Sequence, residues 1–208
     1  NFTYPEGELS DYHHELDLST AVNTVTYKIG DTEYTRQSIA SNPDDVIAMY
    51  ITASRPEAIT IELELNLLRN AEVIASGNQL IYTGNAEFEK HGRGGVLFEG
   101  RIAVEIKGGT IKADGKKLLI DKATEVTLLS DVRTNYKNTT FAGYDYKQKC
   151  KETIEAAAKK SFKTLRNTHV EDYAPLFSRV ALSFGDNGKL NHLPNDQRWA
   201  RVKAGESD

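Results

Sequence analysis

Apolar and polar residues alternate with a period of two along most of residues 11–129, a pattern typical of β-strands with one buried face. Residues 46–53 are nearly all apolar, which predicts a strand in the middle of a sheet. Residues 96–106 form the longest alternating run, and Gly100 interrupts its apolar face, so we expect a bulge or a close backbone approach there. The alternation is cleanest in residues 59–67, where the apolar set is Ile59, Ile61, Leu63, Leu65 and Leu67.

Turn signals separate these runs at short intervals. Gly30-Asp31, Gly77-Asn78 and Asp114-Gly115 are pairs that favour tight turns between antiparallel strands. Many short strands joined in this way predict a mainly β fold, namely a large antiparallel β-sandwich.

The period changes after residue 144. From Cys150 to Leu165 the apolar residues recur at steps of three and four, which predicts one long amphipathic helix over residues 146–168. Asp145 is suited to cap its start, and Lys163 and Arg166 suit the negative end of its dipole. Residues 169–185 continue as an apolar, strand-like tail. We therefore expect the sandwich to be followed by a long linker helix.

Composition narrows the classes of partner. Hydrophobic residues make up 39% and charged residues 27% of the chain, and the net charge is −4 with both signs interspersed. No basic patch for nucleic acid is predicted, and residues 46–51, the longest apolar run, are too few to cross a membrane. The single cysteine, Cys150, excludes an internal disulfide and is interpreted as a packed thiol on the apolar face of the helix.

The histidines do not predict a metal site. None has the spacing of a known zinc motif, and the adjacent His13 and His14 would point to opposite faces of one strand. We therefore expect neither a metal nor another cofactor. The full set is His13, His14, His91, His169 and His192.

Paired carboxylates are candidate catalytic groups, because glycoside hydrolysis uses two of them. Glu62 and Glu64 share one strand face, and Glu99, Arg101 and Glu105 share another. We interpret both sets as ordinary charged outer faces. Residues 85–95 instead break the strand pattern with charges and glycines, and a long loop of this kind is a common place for function.

Three stretches resemble one known family. Residues 12–27 contain Tyr12-His13-His14-Glu15-Leu16-Asp17-Leu18 followed by Val25-Thr26-Tyr27, and residues 35–47 continue the pattern. The second stretch is Gly94-Gly95-Val96-Leu97-Phe98-Glu99-Gly100-Arg101. The third covers residues 169–185 and includes Glu171-Asp172-Tyr173-Ala174-Pro175-Leu176-Phe177. Together they resemble the N-terminal domain of glycoside hydrolase family 95, the α-L-fucosidases that act on 1,2-linked fucose.

The resemblance implies a β-supersandwich, a helical linker and then a catalytic (α/α)6 barrel. It also implies an inverting reaction in which a Glu acid and a water held by Asn and Asp all belong to the barrel. None of those barrel motifs occurs here, so no catalytic residue is expected in this chain. Some relatives act on α-L-galactosides, so the choice between fucoside and galactoside stays open.

The resemblance further implies a domain division. Residues 1–143 would be the supersandwich, with its first strands outside this chain because the family's usual opening is absent. Residues 144–208 would be the linker and an extension toward the barrel. The expected partners are a fucosylated oligosaccharide, through the parent enzyme, and the barrel of the same chain. The parent is expected to be secreted or periplasmic.

Two loops are the candidates for contact with substrate. His91 and Arg93 lie in the first, residues 87–95, and Tyr144 lies in the second, residues 134–146, together with Tyr136 and Tyr146. These tyrosines could stack on a sugar ring or pack at a domain seam. Two alternatives to the enzyme hypothesis are a stand-alone carbohydrate-binding module and a purely structural sandwich.

Overall fold

The computed structural model describes residues 1–67, 71–86, 95–136, 144–182 and 188–206. These residues form two compact units, Asn1–Leu176 and Phe177–Asp208. The predicted division at residue 143 stays a prediction. Of the second unit, the described part contains a 3-10 helix, Gly188–His192, and the helix α3, Asn195–Lys203.

The first unit contains two antiparallel sheets. The smaller has the strand order β1-β6-β11-β10, and the larger has the order β2-β3-β4-β5-β12-β9-β8-β7. Their bounds are β1 Phe2–Thr3, β2 Leu9–Asp17, β3 Val22–Ile29, β4 Thr32–Ser41, β5 Val46–Ala53, β6 Ile59–Glu64, β7 Ala71–Ser76, β8 Gln79–Ala86, β9 Val96–Lys107, β10 Thr110–Asp114, β11 Lys117–Ala123 and β12 Glu125–Thr134.

The main core lies between these sheets. Alternate residues of the strands point inward, as the period of two predicted, and the mainly β sandwich is confirmed. The eight-stranded sheet supplies Tyr34, Ile51, Leu80, Val104 and Val126, among others. The four-stranded sheet supplies Ile59, Ile61, Leu118 and Ile120.

Several details of the sequence prediction are confirmed. β5 lies in the interior of the eight-stranded sheet, and β9 is the longest described strand. Gly30-Asp31 and Gly77-Asn78 form two-residue hairpin loops, since Ile29 pairs with Thr32 and Ser76 with Gln79. In both loops glycine has the positive φ that such turns require, +55° and +58°.

Gly100 marks neither a bulge nor a close backbone approach, but the close approach of a side chain. Its register with Tyr82 on β8 and Val132 on β12 is regular. A Cβ atom at Gly100 would lie 2.0 Å from Cζ of Tyr82, because the tyrosine ring lies across the glycine. The Tyr82 ring therefore occupies the space that a side chain at residue 100 would need.

The opposite face of the eight-stranded sheet is covered by helices, which makes it the central layer of three. The helices are α1, Tyr146–Ala157, and α2, Phe162–Phe177. Ile154 and Ala157 of α1 and Phe162 and Leu165 of α2 form a second apolar cluster with sheet residues. Those sheet residues are Val22, Ile39, Val46, Ala48, Ala103 and Leu129.

The predicted single helix over 146–168 is divided in two. Asp145 caps α1 as expected and accepts from the backbone N–H of Lys147 and Gln148 at 3.0 and 3.1 Å. The helix ends at Ala157, and Ser161 then starts α2, its hydroxyl accepting from the Thr164 N–H at 3.2 Å. A serine there competes for the backbone donors of a new first turn, which the apolar period alone did not reveal.

The tail of this region also differs from the prediction. Residues expected to be strand-like from 169 onward continue α2 as far as Phe177. The helix is held to the β2–β3 turn, since the His169 ring makes a hydrogen bond of 3.0 Å with the Thr20 carbonyl and the Tyr173 hydroxyl donates to the Leu18 carbonyl at 2.9 Å. Lys163 and Arg166 consequently lie near the start of a helix and not near its end.

Candidate functional site

The first predicted loop cannot be placed. His91 and Arg93 lie outside the described residues, as do all residues of 87–94. Of the second loop, the described residues include Tyr136 and Tyr144, with 74% and 38% of their surfaces exposed. Tyr146 is half-buried, and its ring centre lies 5.9 Å from Nζ of Lys147. The substrate-binding roles of His91, Arg93 and Tyr144 stay predictions.

The strands that carry these two loops end side by side. Ala86 and Val96 are paired where β8 passes into β9, and Thr134 at the end of β12 pairs with Phe98. The Asn135 N–H donates to the Leu97 carbonyl at 3.0 Å, and its side-chain oxygen accepts from the Leu97 N–H at 2.9 Å. Both loops therefore leave the same end of the eight-stranded sheet.

Glu99 and Arg101 are not on an ordinary charged outer face, so that interpretation is wrong. They point toward α1, and their side chains are 6% and 16% exposed. Both guanidinium nitrogens Nε and Nη2 of Arg101 donate to Glu99 Oε1, at 2.9 and 2.7 Å. These side chains are buried because α1 covers this part of the sheet, and strand periodicity cannot predict that contact.

A second ion pair lies opposite the first. On β12, Asp131 is paired in register with Arg101, and Arg133 is paired with Glu99. Arg133 Nε donates to Asp131 at 2.8 Å and Nη2 to Asp45 at 2.5 Å. Burial lowers the pKa of Arg133, but the hydrogen bonds to these two carboxylates outweigh it and leave the pKa raised. These four residues of β9 and β12 are called the buried charge cluster below.

Cys150 of α1 lies above this cluster and is fully buried, as predicted for a packed thiol. Its Sγ donates to the Asp131 carbonyl oxygen at 3.6 Å. Burial, and then the nearby Asp131 carboxylate, raise the pKa of the thiol to about 12. A thiol held in its neutral form is a poor nucleophile, so Cys150 serves packing.

Further along the same sheet face, a cleft of about 630 Å³ opens between the sheet and the α1–α2 corner. The sheet contributes its floor, and the end of α1 and the start of α2 contribute one wall. Its lining residues are Gln37, Tyr50, Glu105, Glu125, Thr127, Leu129, Ala158, Lys160, Ser161, Phe162, Lys163 and Arg166. This set is called the corner cleft.

Tyr50 and Glu125 form a hydrogen-bonded pair in the corner cleft. The Tyr50 hydroxyl donates to Glu125 Oε2 at 2.5 Å, and Lys107 Nζ donates to Oε1 at 2.7 Å. Burial and the hydrogen bond to Glu125 raise the pKa of Tyr50 to about 12. The hydrogen bonds from Lys107 and Tyr50 lower the pKa of Glu125. The Tyr50 ring stacks on Phe162 with centroids 5.0 Å apart.

The basic side chains of the corner cleft differ in whether they form an ion pair with a carboxylate. Lys160 Nζ pairs with Asp44 Oδ1 at 2.5 Å. Lys163 and Arg166 have no ion pair with any described residue, and Arg166 Nε is buried without a hydrogen-bond partner. The sequence could not reveal this site, because its residues come from four strands, the α1–α2 connection and α2, with no common spacing.

The carboxyl groups offer no general acid among those with a shifted pKa. The pKa of Asp17 is lowered by the hydroxyls of Ser19 and Thr20, that of Glu62 by Lys117, and that of Glu125 by Lys107 and Tyr50. Each shift favours the ionised form, whereas the acid of a glycosidase needs a raised pKa. Among the described residues, no group of three or more His, Cys, Asp or Glu could hold a metal ion. No described helix has the length and apolar character needed to cross a membrane.

Comparison with known proteins connects this geometry to a family. The family model described as glycosyl hydrolase family 65, N-terminal domain, matches residues 2–139. Alpha-L-fucosidase 2 of Arabidopsis thaliana is 30% identical over an alignment of 199 positions that covers 83% of this chain and 23% of that protein. Probable alpha-fucosidase A of Aspergillus niger is 30% identical over an alignment of 210 positions that covers 92% of this chain and 26% of the relative. The predicted relation to α-L-fucosidases is confirmed, and the chain spans about a quarter of the length of these relatives.

A solved structure shares the fold. A chain described as "Putative kojibiose phosphorylase from human microbiome" superposes with a TM-score of 0.55 at 13% identity. The match covers 80% of the present chain and 25% of the other. At this identity the likeness concerns the fold alone.

Proposed function

Because the chain belongs to the glycosyl hydrolase family 65 N-terminal domain family, we propose that it is the non-catalytic N-terminal portion of an inverting α-L-fucosidase that cleaves 1,2-linked fucose from glycans. The observation that carries the proposal is the pair of fucosidase relatives. Each aligns with more than four-fifths of this chain, at 30% identity, yet the aligned part is about a quarter of the relative. The larger remainder is where the chemistry would reside.

The site geometry supports a non-catalytic role. The shifted carboxyl groups are all held in the ionised form, and Glu99 and Asp131 are already engaged in ion pairs under α1. A glycosidase needs one carboxyl that stays protonated to donate to the leaving oxygen. In this proposal the sandwich supports a catalytic barrel in the rest of the parent chain, toward which residues 144–208 extend.

The position of the two loops supports a contribution to the substrate cleft. Residues 87–95 and 134–146 leave one end of the eight-stranded sheet, where β9 begins and β12 ends. His91 and Arg93 in the first loop would donate to sugar hydroxyls, and Tyr144 in the second would offer a ring face for stacking.

The experiment compares the chain with its parent. The 208-residue chain is incubated with 2′-fucosyllactose, and we expect no release of fucose. The parent reading frame that contains the chain should release fucose, and NMR should detect the β-anomer first because the reaction inverts the α-linkage. Turnover by the chain alone would contradict the non-catalytic role. Initial formation of the α-anomer would contradict inversion, and a parent active only on α-L-galactosides would contradict the substrate.

A further inference from the structure

We propose that the corner cleft binds a small neutral saccharide, at a site separate from the two loops. The cleft has a volume of about 630 Å³, within the range of about 300–1,000 Å³ that is usual for small-molecule sites. Its residues lie on the helix-covered face of the eight-stranded sheet, whereas the loops leave the sheet at one end of its strands.

One donor of the corner cleft is buried without an acceptor. Arg166 Nε makes no hydrogen bond, and neither Arg166 nor the exposed Lys163 pairs with a carboxylate among the described residues. A buried polar group that loses its water without gaining a partner is destabilising. A ligand oxygen in the corner cleft would supply the missing acceptor.

A carboxylate lies on the sheet side of the same cleft. Glu105 is exposed; its Oε1 accepts from the Asn78 side-chain amide at 3.1 Å, and its second oxygen has no partner among the described residues, so it is accessible to a ligand. Glu125 differs, since Lys107 and Tyr50 occupy both of its oxygens. The cleft thus offers unused donors on the helix wall and an unused acceptor on the sheet.

Positive and negative side chains both line the corner cleft, and this favours a neutral ligand. An anion would be attracted by Lys163 and Arg166 but repelled by Glu105. A hydroxyl group both donates and accepts, so a polyhydroxyl ligand can satisfy both walls at once. Tyr50 and Ala158 are only partly buried and provide apolar surface on which a sugar ring can pack, while Phe162 stacks behind the Tyr50 ring. We therefore favour a neutral saccharide over phosphate or a carboxylate.

Only the choice of probe rests on the proposed function. L-Fucose and 2′-fucosyllactose are titrated into the isotope-labelled chain, and amide shifts are followed by NMR. We expect millimolar binding with shifts concentrated at residues 158–166 and at Thr127. Mannitol is the control polyol, and inorganic phosphate is the control anion.

Two variants locate the site. Arg166→Ala should weaken saccharide binding about tenfold, because a hydrogen bond to a charged donor is lost. Glu105→Gln keeps the size of the side chain and should weaken binding about threefold, which keeps the test valid if Arg166→Ala disturbs α2. Arg55→Ala is the matched control, since its ion pair with Asp31 is exposed and outside the cleft.

Several outcomes would overturn the inference. Absence of shifts with both sugars would do so, as would equal affinity in the wild type and both cleft variants. Phosphate binding to the same amides more tightly than either sugar would make the cleft an anion site. Shifts confined to the residues beside the two loops would support the proposed function and refute the cleft. Saccharide binding in the corner cleft, together with a parent that releases no fucose, would support the cleft and contradict the proposed function.

Discussion

The two faces of the eight-stranded sheet are stabilised by different physical means. The inner face meets the four-stranded sheet through a continuous apolar core that includes Tyr34, Ile51 and Leu80. The outer face meets α1 and α2 through apolar residues at one part and through the buried charge cluster at another. Both faces belong to the same strands, so adjacent residues such as Glu99 and Gly100 contribute to opposite environments.

The two faces differ in whether their contacts depend on the orientation of the side chains. Apolar contact on the inner face is roughly proportional to area and is not directional. The charge cluster requires Glu99 and Arg101 to oppose Arg133 and Asp131 in one register. We infer that the inner face supplies most of the stability, while the outer face defines where α1 lies on the sheet.

The largest effect should come from removing one charge of the cluster. Glu99→Ala leaves Arg101 buried without its partner, and we expect a loss of about 4 kcal/mol in the free energy of unfolding. Urea denaturation followed by circular dichroism measures this. Replacing the pair together, as Glu99→Leu with Arg101→Met, should restore stability to within about 1 kcal/mol of the wild type.

An exposed pair provides the control for that experiment. Arg55 and Asp31 are 60% and 90% exposed, so Arg55→Ala should cost less than about 1 kcal/mol. If Glu99→Ala cost no more than Arg55→Ala, the outer face would not depend on its buried charges and the contrast between the faces would disappear.

An intermediate effect is expected on the inner face. Gly100→Ala places a methyl group against the Tyr82 ring, and overpacking of this kind should cost about 2 kcal/mol. In the Tyr82→Ala background the same substitution should cost about 1 kcal/mol less, because the ring no longer occupies the space. A double-mutant cycle of unfolding free energies measures the difference.

Gly77→Ala is the matched control for Gly100→Ala. Gly77 has a positive φ of +58° and open space around it, so its cost comes from backbone strain alone. That cost should be the same with and without Tyr82. An additive cycle for Gly100 would show that the inner face tolerates the extra methyl group by moving elsewhere.

The smallest effect belongs to the rim of the outer face. Glu125 has a lowered pKa because Lys107 and Tyr50 stabilise its ionised form, so its contribution is present above the usual value of 4.5 and is lost as the pH falls. Glu125→Gln should therefore reduce stability by less than about 1 kcal/mol at neutral pH. The difference from the wild type should shrink as the pH falls below about 4.5, as thermal unfolding over a pH series can show. A difference that grew with acid would contradict the assigned ionisation.

The sequence predicted the strands well because burial of one face imposes a period of two on each of them. It predicted the Asp145 cap and the packed position of Cys150 for a similar reason, since both depend on residues close along the helix. It did not predict the break at Ala158–Ser161 or the burial of Glu99. The apolar period runs through the break, and the burial of Glu99 depends on β12, about thirty residues away, and on the covering helix α1.

The candidate sites show the same limit. Charge and length mark the first loop as a candidate and tyrosines mark the second, and the strands that carry them do end together. The corner cleft had no signal in the sequence. Tyr50, Glu105 and Arg166 are ordinary residues of a strand, another strand and a helix, and only the fold brings them to one cavity.

By itself the sequence determined the β-sandwich, the helical region after it and the relation to α-L-fucosidases, because these depend on local periodicity and on runs of residue identity. The tertiary structure alone decided which charged face is buried, where the helix divides and which side chains share a cleft. Strand pairing and helix packing join residues far apart along the chain. Whether a polar group meets water or a partner depends on that joining, and no local pattern records it.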